Sequence, residues 1–289
     1  MLQVDSFRQK DRVRAYFDWN EGWRGGLYDR PTDRFAKAVV RRKEYIFALL
    51  NRIPFENGSV AVDVGCGAGI YLEELARGGF RTCGVDHSQG MVDVCRKRLE
   101  ERGHADVEVL CADIEHLPFA PESADLALSI GVLGYLVDDV KALQELHRIL
   151  KPGGYLVVNV ENMFSLANLD YLIRERFLSL ARKGKKRSHD VGDSTSMISS
   201  WVLENSPTHH LYRLFHTGSF RRKIEDIGFR HVDSLTFGFE FRLLRRSRLS
   251  NVIDLDKLEV TLERILRTYK IPVLSSLGES YTGLFQKVR

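Results

Sequence analysis

Ala61-Val62-Asp63-Val64-Gly65-Cys66-Gly67-Ala68-Gly69 decides the fold of this chain. Its first four residues read as the end of a buried strand, with an acid near the strand's carboxyl end. Three glycines then alternate through a turn before Ile70-Tyr71-Leu72-Glu73-Glu74-Leu75-Ala76 opens a helix. Glycine is needed where the backbone takes unusual dihedrals or must let a ligand come close with no Cβ in the way. A strand, a glycine loop and a helix in that order place a nucleotide-like ligand in the crevice beyond the strand ends of an open α/β sheet. The spacing is G-x-G-x-G, and Ile70 stands after the last glycine, so the pyrophosphate fingerprint G-x-G-x-x-G is not met. Asp63 would repel a phosphate and suits a cationic ligand instead.

Outward from that loop, apolar runs alternate with helical patterns, the signature of a parallel, doubly wound sheet. Strands are expected at 59–64, 80–85, 107–111, 125–130 and 155–160, with helices to about 77 and over 91–102 and 137–150. The last helix is stopped by Lys151-Pro152-Gly153-Gly154. A helix over 220–227, a sixth strand over 229–237, a helix over 258–269 and a closing strand over 281–288 follow. The expected architecture is a Rossmann-like α/β fold: a doubly wound, mostly parallel seven-stranded sheet with an antiparallel last strand and helical insertions that form a cap. Its expected parts are an N-terminal helical lid (1–50), the core (51–161), a basic helical insertion (162–216) and a C-terminal part of the core (217–289) that carries a second insertion (240–278).

Composition fits one sizeable core: 289 residues, 44% hydrophobic, with a formal net charge of +4. The charge is uneven. Residues 1–161 hold 21 Lys/Arg against 25 Asp/Glu, and residues 162–289 hold 22 against 14. The basic half suits an anionic acceptor or peripheral contact with an anionic membrane. No run reaches the roughly 18 apolar residues of a membrane span. Met1 to Lys10 lacks the apolar centre of a secretory signal, so the expected location is the cytoplasm. Cys66, Cys83, Cys95 and Cys111 have no metal-ligand spacing; they are expected to be reduced, buried and mostly within strands, and no metal site is expected.

Asp63, Asp86 and Asp113 each come at the end of one of the first three expected strands. In a parallel sheet those ends lie side by side above one crevice. A single such acid is as readily a helix cap or a turn residue, whereas three in register with a glycine loop favour a ligand site.

These motifs resemble those of class I S-adenosylmethionine-dependent methyltransferases, in the branch that includes the ubiquinone and menaquinone enzymes. The likeness rests on Val62–Gly69, Gly84-Val85-Asp86-His87-Ser88, Cys111-Ala112-Asp113-Ile114-Glu115-His116-Leu117-Pro118-Phe119 and Leu146-His147-Arg148-Ile149-Leu150-Lys151-Pro152-Gly153-Gly154, in order, over about residues 59–161. It implies S-adenosylmethionine as cofactor. Gly65, Cys66, Gly67 and Gly69 would close on the methionine portion, with Asp63 facing its ammonium. Asp86 would accept the ribose hydroxyls, and His87 and Met91 would flank the adenine. Asp113 would accept the adenine amino group, beside the Ile114 amide, while Ile130 and Gly131 would line the methyl.

The acceptor side is less determined. Tyr16, Trp19 and Tyr28 of the leader and Glu161 and Asn162 past the fifth strand are candidate acceptor contacts; aromatic packing and helix capping are their alternatives. His210, Tyr212 and His216 are candidate sources of a base, against an alternative as solvated loop residues. The run Arg182–Arg187 offers positive charge with no interleaved aromatics, which disfavours nucleic acid. The resulting expectation is methyl transfer to a small or lipid-like acceptor, at oxygen. A catalytically silent binding module and a nicotinamide-dependent oxidoreductase are the alternatives.

Overall fold

The computed structural model describes residues 2–19, 34–166, 168, 212–239, 254–269 and 277–288. Seven strands form one sheet: β1 (Val60–Val64), β2 (Arg81–Asp86), β3 (Glu108–Cys111), β4 (Ala124–Ile130), β5 (Leu150–Glu161), β6 (Phe229–Phe237) and β7 (Ser280–Lys287). Their order across the sheet is β3-β2-β1-β4-β5-β7-β6. β1 pairs in parallel with β2 and β4, and parallel pairing continues to β3 on one side and to β5 on the other. β7 is the antiparallel last strand. The described helices are α1 (Leu2–Trp19), α2 (Arg34–Leu50), α3 (Ile70–Arg77), α4 (Gln89–Glu101), α5 (Val140–Ile149), α6 (Thr217–Ile227) and α7 (Leu255–Tyr269). None of these is long and apolar enough to cross a membrane.

The strand order reverses between β1 and β4, which is where an open α/β sheet leaves a crevice beyond the carboxyl ends of its strands. Central strands covered on both faces read as continuous apolar runs, and β1 does so apart from Asp63. Period-two geometry puts Asp63 on the same face as Ala61. Ala61 packs in a core with Val39 and Ile46 of α2 and Tyr71 and Leu75 of α3. Leu72, Val92, Cys95, Leu99 and Val109 form a second apolar cluster between α3, α4 and β3. In α5, Ala142, Leu143, Leu146 and Ile149 are buried at helical spacing, which sets that helix on the sheet.

The expected fold class is the observed one, with differences in detail. β5 starts at Leu150 rather than at Tyr155: Leu150 pairs with Ala124 and Tyr155 with Leu126. Lys151-Pro152-Gly153-Gly154 is thus a bulge inside the strand pairing rather than a turn ahead of it. The leader's start is a single helix, α1. Cys66 and Cys95 are buried in a loop and a helix, Cys83 is half-buried in β2 and Cys111 is exposed at the end of β3. The expectation of four buried, mostly strand cysteines is therefore corrected. Buried sulfur packs wherever the core needs a small apolar group, and strand ends are open.

Two compact units divide the chain. One comprises Met1–Val160, Gly218–Ser234 and Thr282–Arg289, and carries the glycine loop and all three strand-end acids. The other comprises Glu161–Thr217 and Leu235–Tyr281. Within the second, the Asn162 amide donates to Gly278 O at 2.8 Å while its Oδ1 accepts the Phe164 N–H at 3.1 Å. In the same unit Glu263, on the buried face of α7, accepts the Gly238 N–H at 2.8 Å. Tyr28, His210, the Arg182–Arg187 run and most of the 162–216 and 240–278 insertions lie outside the described residues.

Candidate cofactor site

The loop after β1 is held from beneath by the end of β2. Val85 O accepts N–H bonds from Gly65 and Cys66 at 2.6 and 3.0 Å. Gly65, Gly67 and Gly69 have φ of 79°, 52° and 78°, a region that residues with a Cβ rarely enter. They differ in what a Cβ would meet. At Gly65 it would lie 2.2 Å from Val132 Cγ2, and at Gly69 2.6 Å from Cys95 Sγ. At Gly67 the only neighbour within 4 Å among the described residues is Met91 Cε at 3.8 Å. The outer two glycines are therefore packing requirements, while Gly67 faces a hollow that a Cβ would fill.

Asp86 ends β2 and ties the site together. Its Oδ2 accepts the Gly67 N–H at 2.9 Å and its Oδ1 the Ser88 N–H at 2.9 Å. Burial raises its pKa, and those bonds only partly offset the effect. A carboxylate accepts about four hydrogen bonds, so with the backbone N–H groups of Gly67, Ser88 and His87 on it Asp86 keeps capacity for a ligand hydroxyl. Ser88 caps α4 by accepting the Met91 N–H at 3.1 Å, which fixes Met91, a buried residue, under Gly67.

Asp63 is the outlier of the core. It is 1% exposed, and neither carboxylate oxygen has a hydrogen-bond partner among the described residues. Such a group is costly in its charged form. Burial first, and the nearby Asp86 second, push its pKa up to about 8. A cation delivered by a ligand would remove that cost.

Sequence reasoning missed the cation on the same face. Arg42 of α2 donates from Nε to Tyr71 Oη at 3.2 Å and from a terminal nitrogen to Asn159 Oδ1 at 3.1 Å. That terminal nitrogen lies 3.6 Å from where a Gly131 Cβ would stand, at the end of β4. Burial raises the Tyr71 pKa, and Arg42 opposes it. The sequence did carry a signal: Arg42 falls three residues after Val39 and four before Ile46, on the buried stripe of an amphipathic helix.

At the third strand end, Asp113 Oδ1 accepts the Glu115 N–H at 3.0 Å and Oδ2 binds Lys10 of α1 at 2.6 Å. Burial would raise the Asp113 pKa, but these partners outweigh it and hold it below its ordinary value. Ile114 is buried beside it. His87 is half-exposed, and its carbonyl accepts from the Cys111 thiol at 3.7 Å. Ile130 is buried where β4 ends, and the Gly131 N–H bonds Asn159 O at 3.1 Å. All the residues named for the cofactor thus lie along the carboxyl ends of β1 to β4.

The acceptor-side residues are more dispersed. On α1, Trp19 is 85% exposed and Tyr16 meets Phe17 edge to face at 5.1 Å. Glu161, Asn162, Tyr212 and His216 belong to the second unit, where His216 is exposed and meets Phe164 edge to face at 5.5 Å. Cys66 is not poised as a nucleophile: its neighbour Cys95 and its burial push the thiol pKa well above the usual range and keep it protonated. Among the described residues no group of three His, Cys, Asp or Glu is arranged to hold a metal ion.

Residues 62–158 match the methyltransferase domain family. The matched core has the fold and motif order of class I S-adenosylmethionine-dependent methyltransferase domains, and that likeness supports S-adenosylmethionine as its cofactor. The chain is 39% identical to a demethylmenaquinone methyltransferase of Clavibacter sepedonicus over 55% of its own length and 61% of that protein. It is 34% identical to the tRNA (carboxymethyluridine(34)-5-O)-methyltransferase of Arabidopsis thaliana over 55% of its length and 37% of that protein. It spans less than two thirds of either relative. Among solved structures, the [4+2]-cyclase SpnF superposes with a TM-score of 0.61 at 17% identity, over 96% of this chain and 97% of that one. Sharing a fold with a cyclase shows the architecture and leaves the reaction to the site.

The residues present fit the cofactor. A zwitterionic amino acid finds a buried carboxylate in Asp63, without a hydrogen-bond partner among the described residues, and a guanidinium in Arg42, beside the end of β4. A ribose finds the open lone pairs of Asp86, and an exocyclic amine finds an acceptor in Asp113.

Proposed function

We propose that the chain transfers the methyl group of S-adenosylmethionine to a small-molecule or lipid-like acceptor, at oxygen. The observation that carries the cofactor half is that Asp63, buried with no hydrogen-bond partner among the described residues, and Arg42 lie on the same face of the sheet. Asp63 would hold the ammonium and Arg42 the carboxylate. Asp86 would take the ribose hydroxyls, and Asp113 the adenine amine.

The bound cofactor supplies an activated methyl, so the hard part of the chemistry is not the protein's. The protein's part is alignment: Ile130 and Gly131 at the end of β4 flank the place where acceptor and methyl must meet in line. An oxygen acceptor must also give up a proton, and His210, Tyr212 and His216 are the proposed sources of the base.

Transfer at oxygen is supported by the tRNA relative, whose name places its methyl on an oxygen. The demethylmenaquinone relative supports an apolar ring as acceptor. The tRNA relative also gives a second reading, an RNA acceptor. Radiolabelled methyl transfer from S-adenosylmethionine to hydroxylated quinones and phenols, run beside transfer to bulk tRNA, separates the two. Label in phenols alone supports the proposal; label in tRNA alone replaces it; label in neither, with the cofactor bound, moves the silent binding module forward.

A further inference from the structure

The connection from β3 to β4, residues 112–123, is a loop, and Asp113 stands near its start. Its first turn closes on that acid: the Glu115 N–H donates to the Asp113 side chain at 3.0 Å and the His116 N–H to Asp113 O at 2.9 Å. Leu117-Pro118-Phe119 comes next. Proline has no N–H and turns the residue before it away from helical backbone, so a helix cannot satisfy the polar groups of this stretch. Their partners come from α5 instead. The Leu117 N–H donates to Glu145 Oε2 at 2.8 Å. Arg148 donates from Nη2 to Leu117 O at 3.0 Å and from Nη1 to Phe119 O at 2.7 Å. The far end of the loop is tied to the same helix end, where Arg148 O and Ile149 O accept the Glu122 and Ser123 N–H groups at 2.9 and 2.8 Å.

Glu145 and Arg148 act as one unit on α5. The guanidinium forks onto the carboxylate, Nε to Oε1 at 2.6 Å and Nη2 to Oε2 at 2.7 Å, the geometry of a strong charge-assisted pair. Arg148 holds the Glu145 carboxyl below its ordinary range, and Glu145 in turn raises the Arg148 pKa. The helix beneath them is fixed by Leu143, Leu146 and Ile149, all fully buried. Ile114 and Leu117 are buried too and anchor the inner face of the loop. Apolar burial is non-directional, so it does not aim a carboxylate. The bonds to the backbone at 117 and 119 do, because they stop the turn that begins at Asp113 from rotating.

We propose that Glu145 and Arg148 are positioning residues for base recognition: from α5 they set the turn that aims Asp113 at adenine, and so fix the preference of the site for adenine over other purines. They act through the backbone of the loop. Without the guanidinium, the carbonyls of Leu117 and Phe119 lose the donors that hold them, and Glu145 loses its partner. Polar groups left that way turn toward water, and the turn between Asp113 and Leu117 follows them. This inference rests on the cofactor reading above.

The test uses the full chain and two probes, S-adenosylhomocysteine and S-inosylhomocysteine, titrated by calorimetry with circular dichroism as the check of fold. The inosyl compound carries a carbonyl where adenine carries its amine, and so turns an oxygen toward Asp113. The wild type should prefer the adenosyl compound by about 100-fold, the worth of one hydrogen bond to a charged group. Arg148→Met should bring that preference below about tenfold, by weakening S-adenosylhomocysteine and leaving S-inosylhomocysteine nearly unchanged. Arg148→Lys should fail in the same way, since an ammonium lacks the fork, and it carries the measurement if Arg148→Met does not fold. Glu145→Gln, which keeps an acceptor, should fall between. A merely structural role would weaken both probes alike. Equal weakening of the two probes, or a preference kept at the wild-type level in the Arg148 variants, overturns the proposal alone. A wild type that binds both probes equally overturns the role of Asp113 and this proposal with it. No binding of S-adenosylhomocysteine by the folded wild type overturns the cofactor reading as a whole.

Discussion

The Asp86 carboxylate accepts the Gly67 N–H at 2.9 Å, so the acid that ends β2 fixes the middle of the loop that follows β1. One side chain therefore shapes the cradle and faces the ligand. Asp86→Ala is predicted to lower S-adenosylhomocysteine affinity by about 100-fold or more, since two hydrogen bonds to a charged group are each worth about 1.5–3 kcal/mol. Calorimetric titration checks this, with circular dichroism to confirm the fold. Asp86→Asn, which keeps an acceptor for Gly67, should fall between.

Asp63 makes binding depend on pH. Its folded pKa, about 8 in the free protein, lies above the roughly 3.9 of an unfolded aspartate. The contribution to stability is full below about pH 4 and is lost as pH rises through about 8, because ionising the buried acid is unfavourable. A ligand ammonium prefers the ionised form, so S-adenosylhomocysteine affinity should rise from pH 6 to pH 8 with proton release. Titration in buffers of different ionisation enthalpy reads that proton. Asp63→Asn should flatten both profiles, weaken binding and stabilise the free protein at pH 8.

Gly65 and Gly67 should fail differently. Gly65→Ala combines a left-handed backbone with a Cβ 2.2 Å from Val132. It should cost about 2–5 kcal/mol in chemical denaturation, partly recovered by Val132→Ala. Among the described residues Gly67→Ala meets only Met91, at 3.8 Å. It should cost about 1–2 kcal/mol of stability and lower affinity far more, because its methyl fills the hollow.

Arg42→Met is predicted to weaken S-adenosylhomocysteine binding at least tenfold while leaving methylthioadenosine, which has no carboxylate, nearly unaffected. Equal losses for the two ligands would mean that Arg42 acts only through Tyr71 and Asn159.

What was legible in the sequence was what is local. The loop spacing, the apolar runs and the acids at strand ends each depend on neighbours a few residues away, and they put Asp63, Asp86 and Asp113 along one edge of the sheet. Lys10 meets Asp113 across 103 residues and Arg42 meets Asn159 across 117, and no local pattern encodes such pairs. The same holds for the bulge at 151–154. Its proline and glycines read as a turn that ends the helix, but the pairing of Leu150 with Ala124 shows that the strand had already begun.

The most direct test is calorimetric titration of the full chain with S-adenosylhomocysteine at pH 8, with NAD as the comparison ligand. One-site binding of S-adenosylhomocysteine in the micromolar range, with no heat from NAD, is the predicted result. No binding of S-adenosylhomocysteine by protein shown to be folded would contradict the central claim that Asp63, Arg42, Asp86 and Asp113 form its site.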